Sequence, residues 1–216
     1  MKHLSKLDLL NKKVRNNSST NTGSRILNFI FKKELQYAQI DIKIPRIDLL
    51  RGEVLLSDIA DSLEDDDPAY YGVETLIILL YIQFIRQISK GVDLFTVGKE
   101  LINKINKYRP ITIQENYTET KPNTFALQNF NIPNQTINKD PKEQEITITL
   151  NLKERFIYRG EILLYDLEDL FPDLEITVEE TISILYMDFI DAIKKGHDNG
   201  TINNILESFS YYSGDL

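Results

Sequence analysis

The chain has no cysteine and no tryptophan, and only two histidines and nine glycines in 216 residues. Without cysteine there is no disulfide and no thiolate metal site, and redox chemistry says nothing of compartment. The histidines stand apart, His3 near the N-terminus and His197 after a helix-ending glycine. Neither Ser-His-Asp nor Cys-His chemistry can be assembled from them. There is no Walker loop, no G-x-G-x-x-G and no H-E-x-x-H, so the usual phosphate cradles and zinc helices are excluded. The longest apolar run, "LIILLYIQFI" at 76–85, is followed by Arg86 and is too short to cross a bilayer. The N-terminus lacks the apolar core of a secretory signal, so a cytoplasmic protein is expected, and the sequons at Asn116, Asn134 and Asn199 carry little weight. No catalytic residue, cofactor or bound metal is expected.

Charge is abundant but uneven. The net charge is −8, yet residues 1–36 hold eight Lys/Arg against Asp8 and Glu34, which leaves −14 on the rest. An acidic body repels phosphate backbones, so nucleic acid is disfavoured as a partner. Within the basic arm, "MKHLSKLDLLNKKVR" spaces Leu4, Leu7, Leu10 and Val14 three or four apart. That spacing predicts a short amphipathic helix, followed by the polar linker "NNSSTNTGS" at 16–24. Two roles follow for the arm: docking on a partner or an anionic surface, or packing back onto its own body.

A second polar stretch, residues 109–144, carries Pro110, Pro122, Pro133 and Pro141 among many Asn and Thr. It is too long for a connection inside a compact domain and is read as a linker. Its "ITI" at 111–113 is a candidate short strand, and its Phe125, Leu127, Phe130 and Ile132 a candidate clamp across the body.

The segments on either side, 37–108 and 145–216, align with each other. "RGEVLLSD" at 51–58 matches "RGEILLYD" at 159–166 in six of eight positions. From Val73 to Gly91, ten of nineteen residues recur at 178–196, among them Glu74, Ile77, Tyr81, Phe84 and Gly91. The order and nearly the spacing are kept, which points to an internal duplication. Each copy opens on alternating apolar residues, Ile40, Ile42, Ile44 or Ile146, Ile148, Leu150, Leu152, the pattern of a half-buried strand. Gly52 and Gly160 suit a turn after that strand, and Asp58 and Asp166 suit the cap of a following helix that Pro68 or Pro172 ends. A long helix follows, capped by Gly72 in one copy and by a Thr177–Glu180 capping box in the other. Lys90-Gly91 and Lys195-Gly196 close these helices, and Thr96 and Thr201 open a third. The expected fold is therefore α+β: two tandem strand-turn-strand plus three-helix units forming a pseudo-two-fold body.

The first long helix is apolar on nearly every side, whereas the second keeps Ser183, Asp188 and Asp191 on a polar stripe. An all-round apolar helix needs cover all round, so the first copy is expected to supply the central interface. "EDDD" at 64–67 lacks a calcium-loop pattern and reads as solvated loop. Glu53 and Glu161 are expected to pair with Arg51 and Arg159. The leading function is a non-enzymatic protein–protein interaction module, an adaptor, scaffold or inhibitor, binding a protein partner or a second copy. Leu4, Leu7, Leu10, Tyr81, Ile82, Phe84, Tyr186 and Phe189 are its candidate contacts. Two alternatives are a DNA-binding regulator with duplicated winged helix-turn-helix units and an enzyme with a carboxylate-bound metal.

Overall fold

The computed structural model describes residues 3–12, 14, 36–62, 72–109 and 144–196. They form strand β1 (Tyr37–Pro45), helices α1 (Arg46–Ser62), α2 (Val73–Ser89) and α3 (Leu94–Tyr108), strand β2 (Glu145–Lys153) and helices α4 (Glu154–Leu170) and α5 (Val178–Lys194). The mixed α+β class agrees with the sequence. The "EDDD" loop, Pro68, His197, the expected helix after Thr201, the sequons and the stretch 110–143 with its candidate strand and clamp lie outside the described residues.

The two strands pair antiparallel with each other, in register from Tyr37↔Lys153 to Pro45↔Glu145. Ile40, Ile42, Ile44, Ile148, Leu150 and Leu152 are buried on one face, as the alternation predicts. The polar residues Gln39, Asp41, Thr149 and Asn151 face out, with Thr149 Oγ1 donating to Asp41 Oδ1 at 2.7 Å.

The hairpin expected within each unit does not form. Each strand runs straight into a helix, and its partner strand comes from the other segment. Proline at position 45 has no N–H with which to extend the ladder, and Arg46 begins α1. The junctions are closed reciprocally: Arg46 N–H donates to Gln144 O and Glu154 N–H to Gln36 O, both at 2.8 Å.

Gly52 and Gly160 accordingly sit in the middle of α1 and α4, not in turns, and Asp58 and Asp166 lie inside these helices rather than at their starts. Leu49, Gly52, Leu56 and Ile59 recur at helical spacing, as do Ile157, Gly160, Leu164 and Leu167. The glycines thus stand on the inward stripe. A mid-helix glycine costs about 1 kcal/mol relative to alanine, and a tertiary contact explains why it is there. The Tyr186 hydroxyl of α5 lies where a Cβ on Gly52 would stand, and the Tyr81 hydroxyl of α2 does the same at Gly160. Each hydroxyl donates to a carbonyl of the helix it meets: Tyr186 to Asp48 O at 2.8 Å, Tyr81 to Phe156 O at 3.1 Å.

The packing crosses between segments throughout. β1 lies against α5, β2 against α2, and α3 against α4 and α5. Ring stacking reinforces the last of these, with the Phe95 and Phe171 centroids 5.4 Å apart, and Gly98 leaves the space that the Phe171 ring fills. Helix α2 is well enclosed, with Val73, Leu76, Ile77, Ile78, Leu79, Tyr81, Ile82 and Ile85 all buried, but α5 is enclosed as fully despite its polar residues, burying Glu179, Thr181 and Ser183 along with its apolar side chains.

The ends of α2 and α5 follow their signals. Thr177 and Glu180 form both bonds of a capping box, and Gly72 caps α2 without a side-chain bond. Gly91 and Gly196 take φ of 96° and 71°, the left-handed conformation that ends the long helices. Helix α3 is capped by Asp93, whose carboxylate accepts the Thr96 N–H, so Thr96 lies inside the first turn instead of opening it.

Candidate functional site

The most unusual chemistry in the body is a pair of buried carboxylates, Glu161 on α4 and Glu179 at the start of α5. They are 0% and 5% exposed, where an ionised group needs several donors to offset its lost hydration. For Glu161 those donors come from the N-terminal segment, which gives Glu179 a single N–H and leaves its buried Oε2 without a hydrogen-bond partner. Glu161 Oε1 accepts the Ser5 hydroxyl and, at 3.0 Å, the Leu9 N–H; its Oε2 accepts the Leu10 N–H at 2.5 Å. Glu179 Oε1 accepts the Lys6 N–H at 2.9 Å, and the Val178 N–H donates to Leu4 O at 2.8 Å.

Local sequence explains how the segment presents so many N–H groups. The Ser5 hydroxyl accepts from the N–H of Leu7 (3.2 Å) and of Asp8 (3.1 Å), which curls residues 5–8 into a turn that competes with helix. Asp8 follows with φ 52°, a conformation a short polar side chain tolerates. Helical geometry begins only at Leu9, so the helix is shorter than the leucine spacing predicts. Asp8 O accepts from Lys12 N–H and Asp8 Oδ1 from the Asn11 amide. The Leu9 and Leu10 N–H groups are the unpaired donors of a helix start, and a carboxylate there also meets the positive end of the helix dipole. Leu4 is buried in the main core, with Leu7, Leu9 and Leu10 packed against it.

Of the two roles expected for the arm, the described residues adopt the second: they lie on the chain's own body. The other candidate contacts also lie inside it. Tyr81, Ile82, Tyr186 and Phe189 are buried, and Phe84 packs partly buried against the same core. Burial, together with Glu161 and Glu179, raises the Tyr81 hydroxyl pKa well above that of an ordinary phenol. Burial, with Asp48 and Glu53, raises that of Tyr186 in the same way. Both remain hydrogen-bond donors at any physiological pH.

The sequence did not reveal the arm contacts, because Glu161 and Glu53 look alike in the repeated phrase. Glu53 is exposed, and Arg51 pairs with Asp48 at 2.7 Å, not with Glu53. The polar stripe of α5 also has a definite use. Asp188 receives Lys104 at 3.0 Å and the Tyr108 hydroxyl at 3.0 Å, and Asp191 receives Lys107 at 2.6 Å, all from α3. Arg109 reaches Glu175 O at 2.5 Å and Glu180 at 3.2 Å. Ser183 is buried and donates to Glu179 O at 3.0 Å. Lys107 foremost, with Lys195, holds the Asp191 carboxyl well below the usual carboxylate range.

Among the described residues no group of three His, Cys, Asp or Glu is placed to hold a metal ion, and no helix is long and apolar enough to cross a membrane. Compared with models of protein families, with curated proteins and with solved structures, the chain matches none.

Proposed function

We propose that the chain is a non-enzymatic protein–protein interaction module, built by duplication of a unit that opens with one strand and two helices into a pseudo-two-fold body. The single observation that carries the interaction reading is Glu161. A carboxylate fully buried in the body takes the Ser5 hydroxyl and the free N–H groups of a helix start from a separate segment. That is how a body recognises a short peptide: by its amide end and its leucines. The duplication is supported by reciprocal contacts at matching positions, Tyr81 to Phe156 O and Tyr186 to Asp48 O, and by the matching junction bonds of Arg46 and Glu154.

The test keeps the folded chain intact. A protease site placed within residues 16–24 is cut after folding, and a labelled synthetic peptide of residues 1–15 is added in excess. Exchange of the peptide for the resident arm, abolished by Glu161→Gln, is the expected result. An arm that neither leaves nor exchanges after cutting would show a purely structural clasp and remove the reading.

A further inference from the structure

Glu161 and one oxygen of Glu179 accept hydrogen bonds from the arm, whereas among the described residues none reaches the carboxylates at the matching positions of the first segment. Resting on the duplication read above, Glu53 corresponds to Glu161 and Glu74 to Glu179. Glu53 and Glu161 each lie one position along the helix from the glycine that meets the other segment's tyrosine: Glu53 after Gly52, which meets Tyr186, and Glu161 after Gly160, which meets Tyr81. Burial differs sharply. Glu161 and Glu179 are buried, while Glu53 and Glu74 are exposed. The helix neighbours of Glu161 on the same face, Ile157 and Leu164, are 0% and 2% exposed, whereas their counterparts Leu49 and Leu56 are only partly buried. Beside them Leu50 and Val54 stand 45% and 60% exposed. Among the described residues, no hydrogen bond reaches the Glu53 carboxylate.

We infer that the Glu53–Glu74 flank of α1 and α2 is a second docking site, and that it takes a segment of a partner protein with the chemistry of this chain's own arm. Such a segment carries a Ser or Thr before a helix start whose first N–H groups are free, leucine-sized side chains around it, and a positive net charge. Charge complementarity favours it: the flank offers two carboxylates on an acidic body, and the arm that fills the equivalent flank comes from the basic stretch 1–36. A second copy of this chain is a poor donor, because its arm is already engaged with Leu4 buried in its own core. The chain's own linker does not match either. At the distance before β2 that the arm keeps before β1, it reads "TIQENYT" (112–118), with no leucine and no basic residue.

The labelled peptide of residues 1–15 is the probe, titrated into the full-length chain with its own arm in place. Saturable binding of one peptide per chain is expected, weakened by about tenfold or more in Glu53→Gln, the loss of one charge-assisted contact. Leu50→Asp, at an exposed position, weakens it independently. Binding that ignores both substitutions would mean that the peptide invades the Glu161 site, and the inference fails. Absence of binding also overturns it, and a lowered melting temperature of Glu53→Gln would then identify a segment of this chain as the occupant. Exchange in the cut chain reports on Glu161 alone, so the interaction reading survives if only the Glu53 site fails.

Discussion

The Tyr186 hydroxyl occupies the space beside Gly52 and donates to Asp48 O, the carbonyl four residues earlier in the same helix, at 2.8 Å. Tyr81 repeats the arrangement at Gly160 and Phe156 O, at 3.1 Å. Helix α5 is thus latched onto α1, and α2 onto α4, each across the two segments and through a glycine.

This latch predicts a specific mutational pattern. Gly52→Ala gains about 1 kcal/mol of helix propensity but displaces the tyrosine and its bond, at a cost of about 2–3 kcal/mol. A net loss of about 1–2 kcal/mol in denaturant unfolding is expected. Tyr186→Phe removes the obstructing oxygen, so the double variant falls short of the sum of the two single ones. Additive losses would show that the hydroxyl and Cβ do not compete.

A second prediction contrasts the two matching glutamates. Glu161→Gln leaves one acceptor oxygen and places an NH2 against backbone N–H donors, so it costs about 2–4 kcal/mol. The arm becomes sensitive to protease in the same variant. Glu53→Gln, at an exposed position, stays within about 0.5 kcal/mol of the parent chain. Equal effects on the two melting curves would contradict the burial difference between these carboxylates.

Acid should part α3 from α5. Asp191 is held low chiefly by Lys107; Asp188, which burial pushes upward, is brought low by Lys104 and Tyr108. Carboxylates depressed in the fold contribute stability that is complete above their unfolded pKa, about 3.9, and is lost as pH falls through the folded values. The melting temperature is expected to drop below about pH 4, less steeply in Asp191→Asn. Tyr108, raised to about 12 by burial and by its bond to Asp188, stays protonated throughout. An Asp191→Asn chain with an unchanged acid limb would remove this cluster from the account.

Some of this order was legible in the residues. Alternating isoleucines identified both strands, and Thr177, Glu180, Gly91 and Gly196 placed the ends of the long helices. The continuous apolar surface of α2 did not single it out, because α5 is enclosed as fully while burying Glu179, Thr181 and Ser183. Gly52 was misleading, since a glycine after a strand signals a turn just as well as a close helix contact. The arm contacts were hidden because a glutamate in a repeated phrase carries no mark of burial.

By itself the sequence determined the strands, the long helices and their caps, because periodicity and capping are local properties of consecutive residues. Only the tertiary structure decided which strand pairs with which, why "RGEVLLSD" and "RGEILLYD" keep their glycine, and which glutamate is buried. Those outcomes depend on groups more than a hundred positions apart along the chain, Tyr186 against Gly52 and Leu10 against Glu161. The same repeated residues meet a hydroxyl, a helix start or solvent according to what the fold brings beside them.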